Sequence, residues 1–157
     1  MQKKNITLKI SNKQYAESLQ PRGEAFAREL NLEDQFEIFT EGTMYTRAGA
    51  TYLSYEESEE AGLENNRTII KIAGQTMNVR RFGEQDETTM DLHLEQGAMN
   101  ITRYHVPMGQ FDLEVFTNEI KRETDEEGYG TIFADYNIRM EPLFSRRNKL
   151  TIEVLPS

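Results

Sequence analysis

Apolar and polar residues alternate one by one along most of this chain, and a period of two is the signature of strands with one buried face. Ile6, Leu8 and Ile10 share one side of an extended segment, with Thr7, Lys9 and Ser11 on the other. The same period runs through Met77 and Val79, through Met90, Leu92 and Leu94, through Met99 and Ile101, and through Phe111, Leu113 and Val115. It returns at Ile132, Ala134, Tyr136, Ile138 and Met140, and again at Leu150, Ile152 and Val154. "RTIIKIAG" is apolar enough to be covered on both faces. With "QFEIFTEGTMYTR" and "TYLSYEE" added, the pattern predicts about ten strands.

The links between these segments are short. Ala48-Gly49, Gly74-Gln75 and Gln96-Gly97 each fall where a tight hairpin is needed. Short links join only antiparallel neighbours, because a parallel crossover needs a dozen or more residues. An up-and-down meander with one apolar face per strand tends to close on itself, which removes its exposed edges. The expected fold is therefore all-β: an antiparallel up-and-down barrel of about eight to ten strands, spanning residues 1–157 as one domain. Gly42 and Gly109 are candidate bends, and a sandwich is the alternative architecture. Residues 15–34, "YAESLQPRGEAFARELNLED", break the pattern. Pro21 suits a helix start, and Phe26 and Leu30 lie four apart, as do Glu24 and Arg28. That spacing predicts one short helix near residues 21–31, capping an open end of the barrel.

Charge narrows the partners. With 27 acidic and 18 basic side chains the net charge is -9. Such a surface repels phosphate backbones and anionic lipid head groups, so neither nucleic acid nor a membrane surface is an expected partner. There is no cysteine, which removes disulfides and thiolate metal sites. No apolar run resembles a signal peptide or a membrane-spanning helix, so a cytoplasmic location is expected.

Few motifs carry chemistry. His93 falls on the polar side of its strand, and His105 precedes Pro107. No HxH, HExxH, GxSxG, Walker or GxGxxG pattern accompanies them, so no catalytic residue, metal site or cofactor is expected. Two acidic runs, "YEESEEAG" and "ETDEEGYG", read as solvated hairpin tips rather than cation sites, since charge blocks are surface features. The basic signal is sharper. Arg81 follows Met77 and Val79 in phase, and Arg103 follows Met99 and Ile101 in phase. Strict alternation turns both inward near a barrel mouth, where a guanidinium needs a carboxylate or an anionic ligand. Tyr45, Tyr52, Tyr104 and Tyr136 are candidate companions, each with an apolar ring and a polar tip. The plainer alternative has each Arg reaching out at its strand end to pair with a Glu. The stretch "RYHVPMGQFDLEVFTNEI" reads first as a corner, with Pro107 and Gly109 turning the chain into a new strand.

In order, "EGTMYTRAGATYLSYEES", "TIIKIAGQTMNVRRFG", "YHVPMGQFDLEVFTNEI", "GYGTIFADYNI" and "NKLTIEV" resemble the bacterial YwiB-like family. Its members are small proteins of unknown function with a calycin-like, or lipocalin-like, β-barrel. The shared features are Gly42 and Tyr45 ahead of "YLSYEE", an Arg at 80 or 81 before Gly83, the Tyr104–Pro107–Gly109–Phe111 corner, and Asp135-Tyr136. Residues 15–34 look longer than the corresponding hairpin of that family. The resemblance implies a barrel in a bacterial cytoplasm and carries no catalytic residue. The leading expectation is a non-enzymatic protein holding a small hydrophobic or amphipathic ligand inside the barrel, with Arg81 or Arg103 meeting an anionic head group. A packed barrel acting as an interaction or structural module, for instance as a homodimer, is the alternative. An enzyme working through carboxylates is the third class.

Overall fold

The structure, a computed structural model, describes residues 3–57, 65–106, 109–140 and 144–157. Side chains at 17–20, 22, 26–29, 103–106 and 144 lie outside that description. Ten strands follow one another: β1 (Lys4–Arg22), β2 (Ala25–Arg47), β3 (Ala50–Glu56), β4 (Arg67–Ala73), β5 (Thr76–Phe82), β6 (Thr88–Glu95), β7 (Met99–Val106), β8 (Gly109–Thr124), β9 (Gly130–Met140) and β10 (Phe144–Pro156). They form one antiparallel sheet in the order β6-β5-β4-β3-β2-β1-β10-β9-β8-β7. Every neighbour is a sequence neighbour except one pair. The first and last strands meet, with Leu8 opposite Val154 and Ile10 opposite Ile152.

This is the expected up-and-down barrel, nearly closed. The seam lies mid-chain, between β6 and β7, which no ladder joins. The link between them bonds to β8 instead. Gly97 donates its N–H to the Thr117 carbonyl at 2.8 Å, Thr117 donates to the Ala98 carbonyl at 3.2 Å, and the Gln96 side chain accepts from the Ile120 N–H at 2.9 Å. One end of the seam is thereby stitched; among the described residues no such bonds join the other.

The helix expected near residues 21–31 is absent. Residues 21 and 22 end β1, and residues 25–31 belong to β2, with Pro21 opposite Phe26 and Glu17 opposite Leu30. The four-residue spacing that pointed to a helix is also a multiple of two, so it fits a strand equally well. Gly23, at φ +64°, supplies the left-handed residue of a two-residue hairpin turn. The ladder between β10 and β1 stops at Ala16 opposite Arg146. Beyond it the β1–β2 hairpin continues past the rest of the sheet.

The inward phase matches expectation on most strands. Ile6, Leu8, Leu53, Ile72, Met77, Leu94, Val115, Ile132, Ile152 and Val154 are all sealed from solvent. β7 is the exception. Thr102 is 3% exposed while Met99 and Ile101 are 55% and 65% exposed, so the polar residues of β7 face inward and its apolar ones face out. The phase argument that turned Arg103 inward rested on Met99 and Ile101 and is overturned with them. Gly42, expected as a bend, serves a close approach. A Cβ there would stand 2.5 Å from the Ser54 carbonyl and 3.2 Å from Leu8 Cδ1.

Candidate functional site

Side chains fill one end of the barrel and leave the other hollow. At the end where β3, β5, β7 and β9 finish, a cavity of about 600 Å³ opens among Ile10, Ile70, Val79, Leu92, Tyr136 and Leu150. Phe36 and Phe111, 50% and 38% exposed, also line it. They form an apolar rim at the mouth. Ten strands make a wider barrel than eight, whose interior side chains just fill.

The polar part of the wall is built from adjacent strands. Tyr55 on β3 lies opposite Thr68 on β4, and Thr68 lies opposite Arg81 on β5. All three therefore share one inward row. Glu57, two residues beyond Tyr55, keeps the same phase and is buried, with 4% of its side chain exposed. It accepts a hydrogen bond from the Thr68 hydroxyl at 2.5 Å and stands 3.9 Å from Arg81 Nε. That distance is an ion pair without a hydrogen bond. Arg81 Nε is buried and has no hydrogen-bond partner, and so are the Thr102 hydroxyl and Asn12 Oδ1, both on residues that line the same cavity. Burial, reinforced by the charge of Glu57, pushes the Tyr55 hydroxyl well above the usual tyrosine range. Burial alone pushes Tyr136 up to about 12. Both phenols are neutral at pH 7.

Of the residues singled out in the sequence, the structure brings Arg81 and Tyr136 to this cavity. Tyr45 and Tyr52 are elsewhere. Their rings stack on the outer wall of β2 and β3, centroids 4.8 Å apart and 4° from parallel, with Lys3 over one and Lys71 over the other. The outward phase follows from inward Met44 and Leu53, each one residue away. Arg103 and Tyr104 pair through the backbone with Asp112 and Phe111, and their side chains lie outside the described residues. So do Pro107 and Met108, at the corner between β7 and β8. His93 sits on the outer wall, its Nδ1 2.7 Å from Asn78 Oδ1.

Glu57 corrects the reading of "YEESEEAG" as a solvated tip. Glu56 is exposed, the side chain of Glu57 is buried, and Glu59 and Glu60 lie outside the described residues. The signal was present: Thr51, Leu53, Tyr55 and Glu57 alternate as strictly as Met77, Val79 and Arg81. The second acidic run does hold a turn. Asp125 Oδ1 accepts the N–H groups of Glu127 and Tyr129 at 2.9 and 3.0 Å. Near that turn a second pocket, about 790 Å³, is lined by polar and charged groups including Lys3, Lys4, Arg122 and Asp125. Arg122 is committed there, donating to the Thr51 and Thr124 hydroxyls. Among the described residues no three His, Asp or Glu side chains converge as a metal site would require, and no helix is long and apolar enough to cross a membrane.

The family model for a domain of unknown function, DUF1934, matches residues 25–152. The chain belongs to the DUF1934 family. Its fold is similar to that of the crystal structure of the ywiB protein from Bacillus subtilis, with a TM-score of 0.60 at 22% sequence identity. The match covers 95% of this chain and 92% of that one. The resemblance drawn from "EGTMYTRAGATYLSYEES" and its companions is thereby shown. None of the curated proteins matches the chain.

Proposed function

We propose that this DUF1934 chain is a non-enzymatic binding protein that takes a small apolar or amphipathic ligand into the mouth half of its barrel. The observation that carries the reading is the cavity of about 600 Å³ with a mainly apolar wall, the Arg81 guanidinium and a few amide and hydroxyl groups. Its volume lies in the range of small-molecule sites, and such sites pair an apolar wall with a few placed polar groups. The apolar body of the ligand packs against Ile10, Ile70, Val79 and Leu150, and its polar head meets Arg81. Kinship with calycins and a cytoplasmic setting belong to the same proposal and rest on the family resemblance.

Native mass spectrometry of the protein purified from its own source, set against its denatured mass, tests this. A reproducible extra mass that vanishes on denaturation and shrinks in Arg81→Ala is the expected result. A bare monomer mass in both proteins, with no uptake of added amphiphiles, rejects it.

One observation favours the interaction module as a second reading. Met99 lies opposite Phe116 on the outer wall of β7 and β8, and with Ile101 these are 55%, 43% and 65% exposed. An apolar patch of this kind marks contact surfaces. A concentration-dependent dimer in sedimentation, abolished by Ile101→Lys, would support a homodimer through that wall.

A further inference from the structure

We infer that the ligand's head group is uncharged and carries a carbonyl, as a carboxamide does, rather than being an anion. This rests on the binding reading above and specifies its chemistry. An inward Arg in an apolar cavity first invites a carboxylate or phosphate. Glu57 changes that. It is buried, stands 3.9 Å from Arg81 Nε, and already supplies the counter-charge. A second anion placed against Arg81 would lie beside the Glu57 carboxylate, in a wall too apolar to screen the repulsion. The chain's net charge of -9 opposes an incoming anion as well.

What the wall lacks is hydrogen bonds, not charge. Arg81 Nε–H is a buried donor without an acceptor, and Asn12 Oδ1 is a buried acceptor without a donor. The Thr102 hydroxyl, equally buried and unpartnered, can act in either sense. A primary carboxamide offers an acceptor oxygen for the Arg81 Nε–H and two donor hydrogens for acceptors elsewhere on the wall, and adds no charge. Groups left unpaired in a buried site are costly, so a head that satisfies both kinds gains over one that satisfies donors alone.

Four probes, each with eight carbons, separate the outcomes: octanamide, octanoate, octyl phosphate and octylamine, titrated at pH 7 by calorimetry. Octanamide is expected to bind at least about tenfold more tightly than either anion, a difference of about 1.4 kcal/mol. In Glu57→Gln, where Arg81 loses its counter-charge, octanoate is expected to gain at least tenfold and overtake the amide. Octanoate or octyl phosphate binding the unaltered protein most tightly overturns the head-group assignment and leaves the cavity reading standing. Octylamine binding most tightly overturns it too, and makes Glu57 the recognising group. Failure of all four to bind overturns the cavity reading itself. If Glu57→Gln does not fold, the order measured on the unaltered protein decides.

Discussion

Leu150 and Ile152 stand two residues apart on β10, face the same interior, and meet different surroundings. Ile152 is sealed among Ile6, Leu8, Leu53, Met77 and their neighbours in the filled end of the barrel, whereas Leu150 is 9% exposed and lines the cavity. The strands, their phase and their apolar character are continuous from one end to the other. What differs is the content of the rows. At the filled end every strand except β7 contributes an aliphatic or methionine side chain. Towards the mouth the rows include Asn12, Tyr55, Thr68, Arg81 and Thr102, which are polar, partly bonded to each other, and shaped around a space. A single sheet thus yields a stabilising core at one end and a recognition surface at the other.

The largest expected effects test that contrast directly. Leu53→Ala or Leu8→Ala in the filled end opens a new void as well as losing buried area, and should cost about 3–5 kcal/mol. Leu92→Ala or Leu150→Ala only enlarges a space already open, so the transfer loss of about 2 kcal/mol should dominate. Urea midpoints with unchanged slopes measure both. Equal losses at the two ends would mean that the mouth half is as tightly filled as the other.

Gly42→Ala probes the boundary between the two ends, because its new Cβ meets the Ser54 carbonyl at 2.5 Å and Leu8 Cδ1 at 3.2 Å. The cost should be about 1–3 kcal/mol, the usual range for overpacking. A neutral result would show that β2 and β3 can separate without loss.

Two adjacent residues of β9 predict opposite pH limbs. Tyr136 faces the cavity with its hydroxyl raised from 10 to about 12. Its folded-state value lies above its unfolded one, so its contribution to stability is complete below pH 10 and is lost as pH rises from 10 through 12. Tyr136→Phe should flatten that alkaline loss. Asp135 faces outward. Burial pushes its carboxyl up, but the Arg147 fork, at 2.9 and 2.7 Å, and the Asn118 amide outweigh burial and hold it below the usual range. Its contribution is therefore present above the ordinary carboxylate value and disappears as pH falls through the lowered one. Arg147→Met removes the main cause of that depression, so stability should fall chiefly at neutral pH and the acid loss due to Asp135 should flatten, with the alkaline limb unchanged.

The smallest effect comes from outside both halves. Ala48, in the β2–β3 turn, sits at φ +52°, a conformation disfavoured for residues with a Cβ. Ala48→Gly should raise stability by about 0.5–1 kcal/mol without touching either end.

The same contrast explains what the sequence could reveal. Alternation identified the inward side of nearly every strand, because one buried face is all that the pattern encodes. It found Arg81 and Tyr136 for the same reason. It misplaced β7, where Asn100 and Thr102 face in and Met99 and Ile101 face out, since an edge strand beside a seam can carry its apolar residues on the outer wall. It missed the strand extension at residues 21–31 because a four-residue spacing satisfies both helix and strand. Glu57 was legible in the Leu53–Tyr55–Glu57 phase but was masked by the acidic run around it. Whether an inward row is filled or hollow depends on side chains from all ten strands at one level, which no single segment contains.

The most direct test is a methyl-resolved NMR titration with octanamide. The account predicts shifts at Ile10, Ile70, Val79, Leu92 and Leu150, with Leu8, Leu53, Ile72 and Ile152 unmoved. Shifts confined to the filled end or the outer wall, or none at saturating probe, would contradict it.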